Sequence, residues 1–87
     1  MDGKLTFEIL TPEGFDFSQE VDEVVAPGSE GEFGVLPGHI PFITTLADGD
    51  VVYKSDGAAR RIYVENAYAE VGPDKVLILA DKAEVKG

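Results

Sequence analysis

Apolar and polar side chains alternate along most of this chain with a period of two. From Lys4 to Leu10, Leu5, Phe7 and Ile9 share one side and Thr6 and Glu8 the other. That is the pattern of a half-buried strand. Thr11-Pro12-Glu13-Gly14 predicts a turn, with proline suited to its second position. Phe15 and Phe17 flank Asp16 in a short second strand. Glu20 to Ala26 predicts a third, with Val21 and Val25 on one side and Val24 on the other. Ile40 to Leu46 places Ile40, Phe42 and Leu46 on one face, and Ala47-Asp48-Gly49-Asp50 predicts a hairpin turn into Val51–Lys54. Asp56-Gly57 is the pair favoured at a tight hairpin, and it leads into Arg60–Val64. Asn66 marks a bend before Ala67–Val71, and Gly72-Pro73-Asp74 turns the chain again. Val76-Leu77-Ile78-Leu79 is apolar on both faces, as in a strand that is central or covered outside. Lys82 to Val85 predicts a final edge strand, its lysines discouraging edge-to-edge pairing.

No helical period interrupts this series. Short strands with turns about every ten residues predict an all-β single domain, a sandwich or a barrel. The exception to alternation is the connection from Gly28 to Phe42, with four glycines, Pro37 and Pro41, and the chain's only histidine, His39. Glycines permit several sharp bends, and Leu36 and Ile40 are pushed toward extended conformations by the prolines that follow them. Phe33, Val35, Ile40 and Phe42 lie between and seek burial. The segment is a shaped connection pinned to the core by its own apolar residues.

Glycine-rich loops bind phosphate when their N–H groups converge at a helix N-terminus, often beside a lysine. Here Glu30 and Glu32 stand among the glycines, no lysine lies within the loop and no helix follows. The loop reads as structural or as a docking element. The 87 residues are 44% apolar, enough for one modest core. Without cysteine and with one histidine, thiolate and all-histidine metal sites within the chain are excluded. No apolar run approaches the roughly 20 residues of a membrane helix. Seventeen acids against seven bases give a net charge of −10, which disfavours nucleic acid and anionic lipid as partners. From Met1 to Phe33 the acids run from Asp2 to Glu32 with Lys4 as the only base. That surface is either a solvated face or, around Glu30 and Glu32, a contact for a basic or polar partner.

Catalytic chemistry finds little support. The serines are Ser18, Ser29 and Ser55, and a Ser29–His39 pair would need an oxyanion hole that nothing nearby supplies. Arg60 and Arg61 point to opposite faces of a strand and make no continuous anion site. Tyr63 and Tyr68, with Ala67 and Ala69 on either side of the latter and Val76–Leu79 beyond, exceed what one small interior absorbs, which suggests a covered outer face.

The run Gly-Ser-Glu-Gly-Glu-Phe-Gly-Val-Leu-Pro-Gly-His-Ile-Pro-Phe-Ile-Thr, from Gly28 to Thr44, resembles the signature of the epsilon subunit of bacterial and chloroplast F-type ATP synthases, called delta in mitochondria. Leu5 to Pro12 is similar to the family's opening strand and Val76 to Asp81 to its closing one. The resemblance covers nearly the whole chain but only the family's N-terminal domain, and implies a flattened β-sandwich of about ten strands. It further implies a non-catalytic rotor subunit of the central stalk, without cofactor, linking the gamma subunit to the membrane c-ring and coupling ion flow to ATP synthesis. By position, the resemblance assigns Ser29, Glu30, Gly31, Glu32 and Phe42 to the c-ring and Pro37, Gly38, His39 and Tyr68 to gamma. It places the subunit peripherally on the cytoplasmic face of the bacterial inner membrane, ahead of the chloroplast thylakoid. Family members continue into two antiparallel helices where this sequence reaches Val85-Lys86-Gly87. The expectation is therefore a domain at 1–87 lacking that hairpin, its inhibition of ATP hydrolysis and tight nucleotide binding. A second reading is a stand-alone acidic β-sandwich adaptor for another protein.

Overall fold

Eight strands carry the alternating segments: β1 (Leu5–Leu10), β2 (Asp16–Val21), β3 (Glu23–Gly28), β4 (Gly31–Val35), β5 (Phe42–Leu46), β6 (Gly49–Ser55), β7 (Ala58–Val71) and β8 (Lys75–Val85). They are seen in a computed structural model that describes residues 3–87, so Met1 and the acid at Asp2 lie outside the described residues. The strands join in the order β2-β1-β8-β7-β5-β3-β4, with β6 pairing β3 and β7. All pairs are antiparallel except β1 with β8, where Thr6 lies beside Lys75 and Leu10 beside Leu79.

The sheet becomes a sandwich because three neighbouring strands change their inward face at one line. On β7, Ile62 and Val64 are buried, then Ala67, Ala69 and Val71. On β8 the inward series is Val76, Ile78 and Ala80, then half-buried Ala83. Along the other side of β7, Leu46 of β5 is buried, then Val51 and Tyr53 of β6. In each case two successive residues point away from the core: Ala47-Asp48, Glu65-Asn66 and Asp81-Lys82. Pairing holds on both sides of this crease, as Leu46↔Ala67 and Gly49↔Val64 show. Asn66 makes the fold possible by taking φ 51°, a left-handed conformation that asparagine tolerates. Its N–H donates to Asp48 Oδ1 at 2.9 Å and its side-chain amide donates to Asp81.

Counted by layer, the eight strands become ten segments, five on each side of the core. β2, β1, the first half of β8, the second half of β7 and β5 form one layer. β4, β3, β6, the first half of β7 and the end of β8 form the other. Phe7, Phe17 and Tyr53 join the layers with ring centroids 5.3–5.7 Å apart. Among the described residues, every buried side-chain nitrogen or oxygen has a partner.

Several expectations are corrected. Ala47–Asp50 is a crease and not a hairpin: the chain keeps its direction along β7. Ile40 is 77% exposed and precedes β5, so only Phe42 and Leu46 of its predicted face turn inward. The strand predicted over Glu20–Ala26 breaks at Asp22, and Val21 and Val24 are both buried while Val25 is half-buried. Lys82–Val85 continues β8 as one strand, though it does form the free edge of its layer. Asp56-Gly57 closes β6 onto β7 with both φ positive, as the sequence predicts.

Candidate functional site

The glycine-rich connection resolves into a hairpin and a return loop along one edge of the sandwich. β3 and β4 pair from Val24↔Val35 to Gly28↔Gly31, leaving Ser29-Glu30 as a two-residue turn. Gly28 is required there, since a Cβ would stand 2.5 Å from the Gly31 carbonyl oxygen and 3.0 Å from the Phe33 ring. The turn leans on β5 through an antiparallel ladder: Ala47 N–H donates to Pro27 O, Gly28 pairs with Leu46, and Ser29 N–H donates to Thr45 O at 3.0 Å. The Ser29 and Thr45 hydroxyls add a further bond of 2.7 Å.

Leu36 to Pro41 carries the chain from one layer to the other. Gly38, at φ 92°, donates its N–H to Pro73 O at 2.6 Å, which ties the loop to the β7–β8 turn. His39 is half-buried. Its Nδ1–H donates to Ile40 O at 2.8 Å, and its ring lies 5.2 Å from Phe42. Phe42 in turn packs edge-on to Phe33 at 5.2 Å. The residues assigned to the ring and those assigned to gamma are thus brought together: Phe42 touches His39, and Thr45 pairs with Tyr68 as well as Ser29.

Tyr68 faces outward at 39% exposure, with Ala67 and Ala69 turned into the core. Leu79 stands opposite it on β8, Leu10 beyond on β1, and Ile43 is 71% exposed on β5. A shallow hollow lies between Leu10, Pro12, Tyr68 and Leu79. Val76 and Ile78 point inward and Leu77 and Leu79 outward, on a strand flanked by β1 and β7, so the apolar run is central to its layer.

The bases are mostly occupied elsewhere. Lys4 meets Asp22 at 2.7 Å and Asp56 at 3.7 Å, Lys54 meets Glu23, Arg61 meets Asp50, and Lys75 meets Glu8. The hydrogen bond from Lys4 holds the Asp22 carboxyl below its ordinary range, helped by the Asp56 N–H, and Asp22 raises Lys4 in return. Glu30 and Glu32 are exposed and, among the described residues, belong to no ion pair. The Ser29 hydroxyl is bonded to that of Thr45 and the His39 Nδ1–H to Ile40 O, so the pair a hydrolase needs is not formed. Among the described residues, no group of three or more acids and histidines is arranged to hold a metal.

Thr45, Ile43 and Leu10 are the neighbours that sequence reading missed. Ile43 and Leu10 had a local signal, since each is apolar on the outward phase of its strand. Thr45 had none, because its partner lies 16 residues away.

A family model described as the β-sandwich domain of the ATP synthase delta/epsilon chain matches residues 4–86. Curated relatives named ATP synthase epsilon chain include that of Nitratidesulfovibrio vulgaris, 49% identical over 84 residues, 97% of this chain and 63% of the relative. That of Syntrophobacter fumaroxidans is 51% identical with the same coverage. The chain spans about three-fifths of the length of these relatives. In fold it is similar to a chain of the Euglena gracilis mitochondrial ATP synthase solved with F1 and the c-ring, with TM-score 0.86 and 22% identity, covering 98% of this chain and 55% of that one. A chain of the Tetrahymena thermophila mitochondrial ATP synthase central stalk and c-ring gives TM-score 0.76 at 10% identity, covering 94% and 66%. The sandwich, its glycine-rich edge and these matches lead to one conclusion: the chain belongs to the ATP synthase delta/epsilon family, as its β-sandwich domain.

Proposed function

We propose that the domain is a non-catalytic rotor element of an F-type ATP synthase. It joins gamma along the Pro37–His39 loop and the outward face around Tyr68, and it meets the c-ring through Ser29, Glu30, Gly31 and Glu32 with Phe42 behind them. In this role it transmits torque and keeps ion translocation coupled to ATP synthesis at the cytoplasmic face of a bacterial inner membrane. The observation that carries the reading is the edge itself: an acidic turn whose carboxylates belong to no ion pair among the described residues, braced on β5, continuous with an outward apolar strip on β1, β5, β7 and β8. The names of the relatives point the same way. Torque transfer needs a stiff body, and a close-packed interior resists deformation.

The first test is co-purification with the matching gamma subunit, sized by light scattering, where a one-to-one complex is expected. Absence of a complex from a folded domain moves the reading to the adaptor. In the assembled rotor, Glu32→Lys should weaken ring docking by about 0–1 kcal/mol, the scale of a rim charge pair, and reduce its salt dependence. Residues 1–87 alone should show no micromolar ATP site by calorimetry, because the glycine-rich turn offers carboxylates in place of a lysine.

A further inference from the structure

Among the described residues, the tip of the β3–β4 hairpin is anchored outside its own two strands at Thr45 of β5. We propose that Thr45 is the positioning residue of the acidic turn, holding Ser29-Glu30 in a single pose against β5 through its hydroxyl. This rests on the reading that the turn docks to the ring. The Ser29 N–H bond to the Thr45 carbonyl continues the β3–β5 ladder, and any residue at position 45 could accept it. The bond of 2.7 Å between Ser29 Oγ and Thr45 Oγ1 depends on the side chain. Both residues are exposed, so the pair is not a core contact; its effect falls on the turn that carries Glu30 and leads to Glu32. A two-residue tip held only by the backbone can swing about its last rungs, and a second bond across the edge removes that freedom. Preorganising a docking loop raises affinity by lowering the ordering cost of binding. Thr45 is also the cross-strand neighbour of Tyr68, so the same residue sets the turn's place relative to the outward face.

The test uses the assembled rotor subcomplex, with affinity for the detergent-solubilised c-ring and for gamma measured separately. Thr45→Val keeps the shape and removes the hydroxyl. It should weaken ring affinity about threefold to tenfold, the scale of one neutral hydrogen bond, and leave gamma affinity and the melting temperature nearly unchanged. Amide exchange at Glu30 and Gly31 should speed up. Thr45→Ser should restore both readouts, and Ser29→Ala with Thr45→Val should be no worse than Ser29→Ala alone. If Glu32→Lys weakens the ring contact and Thr45→Val does not, the positioning role is wrong while the docking reading survives. If Thr45→Val lowers ring affinity, gamma affinity and melting temperature together, Thr45 is only structural and the proposal fails. If neither Glu30→Lys nor Glu32→Lys changes ring affinity, the docking reading falls and this inference with it.

Discussion

At the scale of single residues, the glycines of one motif do different work. Gly28 has no room for a side chain, whereas the nearest atoms to a Cβ on Gly34 are 3.6 and 3.9 Å away, and its φ is not positive. Gly28→Ala should therefore destabilise by about 1–3 kcal/mol in urea unfolding. Gly34→Ala should be neutral or stabilise by roughly 0.4–1 kcal/mol, because it restricts the unfolded chain. Equal losses for both would mean that the hairpin is not as described. Asn66 offers a second contrast. Its left-handed φ and its bond to Asp81 both suit asparagine, so Asn66→Ala should cost about 1–3 kcal/mol, and Asn66→Gly less, since glycine keeps the conformation and loses only the bond.

At the scale of elements, the crease organises the molecule. β7 and β8 each serve both layers, so the two sheets cannot slide independently, which is the stiffness the proposed rotor role requires. The Phe7, Phe17 and Tyr53 rings clasp the layers from β1, β2 and β6. Phe7→Ala should cost about 3–5 kcal/mol. Against a total of roughly 5–15 kcal/mol for a domain, that loss should appear as a large drop in the urea midpoint. The strands were legible in advance where alternation was clean, as in β1 and in each half of β7, which the structure joins through Asn66 into one strand. The turns were legible where residue chemistry demands a reversal, as at Asp56-Gly57. Ala47–Asp50 misled because Asp-Gly between two apolar runs looks alike whether the chain reverses or merely changes its inward face. Only the pairing of both flanks with β7 separates the two cases.

At the scale of the whole molecule, charge dominates behaviour in solution. With a net charge of −10 the folded domain repels itself, and screening extends to about 10 Å at 0.1 M salt. Melting temperature should rise from low to moderate salt; a fall would show that the exposed ion pairs outweigh the repulsion. The clamp of Lys4 on Asp22 and Asp56 joins the start of β1 to the β2–β3 bend and the β6–β7 turn. Because Asp22 is held below its ordinary range, its stabilisation is present above that range and is lost as pH falls through the lowered value. Lys4 is raised, so its share is complete below the ordinary lysine range and is lost as pH climbs past it. Asp22→Asn should lower the melting temperature at neutral pH and flatten its decline below the ordinary aspartate range. An unchanged acid limb would remove the clamp from the account.

The amino-acid sequence by itself determined most of the strand segments, though not β4 or the break at Asp22, together with the tight turns at Thr11–Gly14, Asp56-Gly57 and Gly72–Asp74 and the family signature from Gly28 to Thr44. These follow from side-chain period and backbone preference, which act over a few residues. Tertiary structure alone decided that β1 runs parallel to β8, that eight strands make two five-stranded layers, that Ile40 stays in solvent, and that Ser29 meets Thr45. Each of those depends on which distant segment lies alongside, and that choice is made by burying the whole apolar set at once.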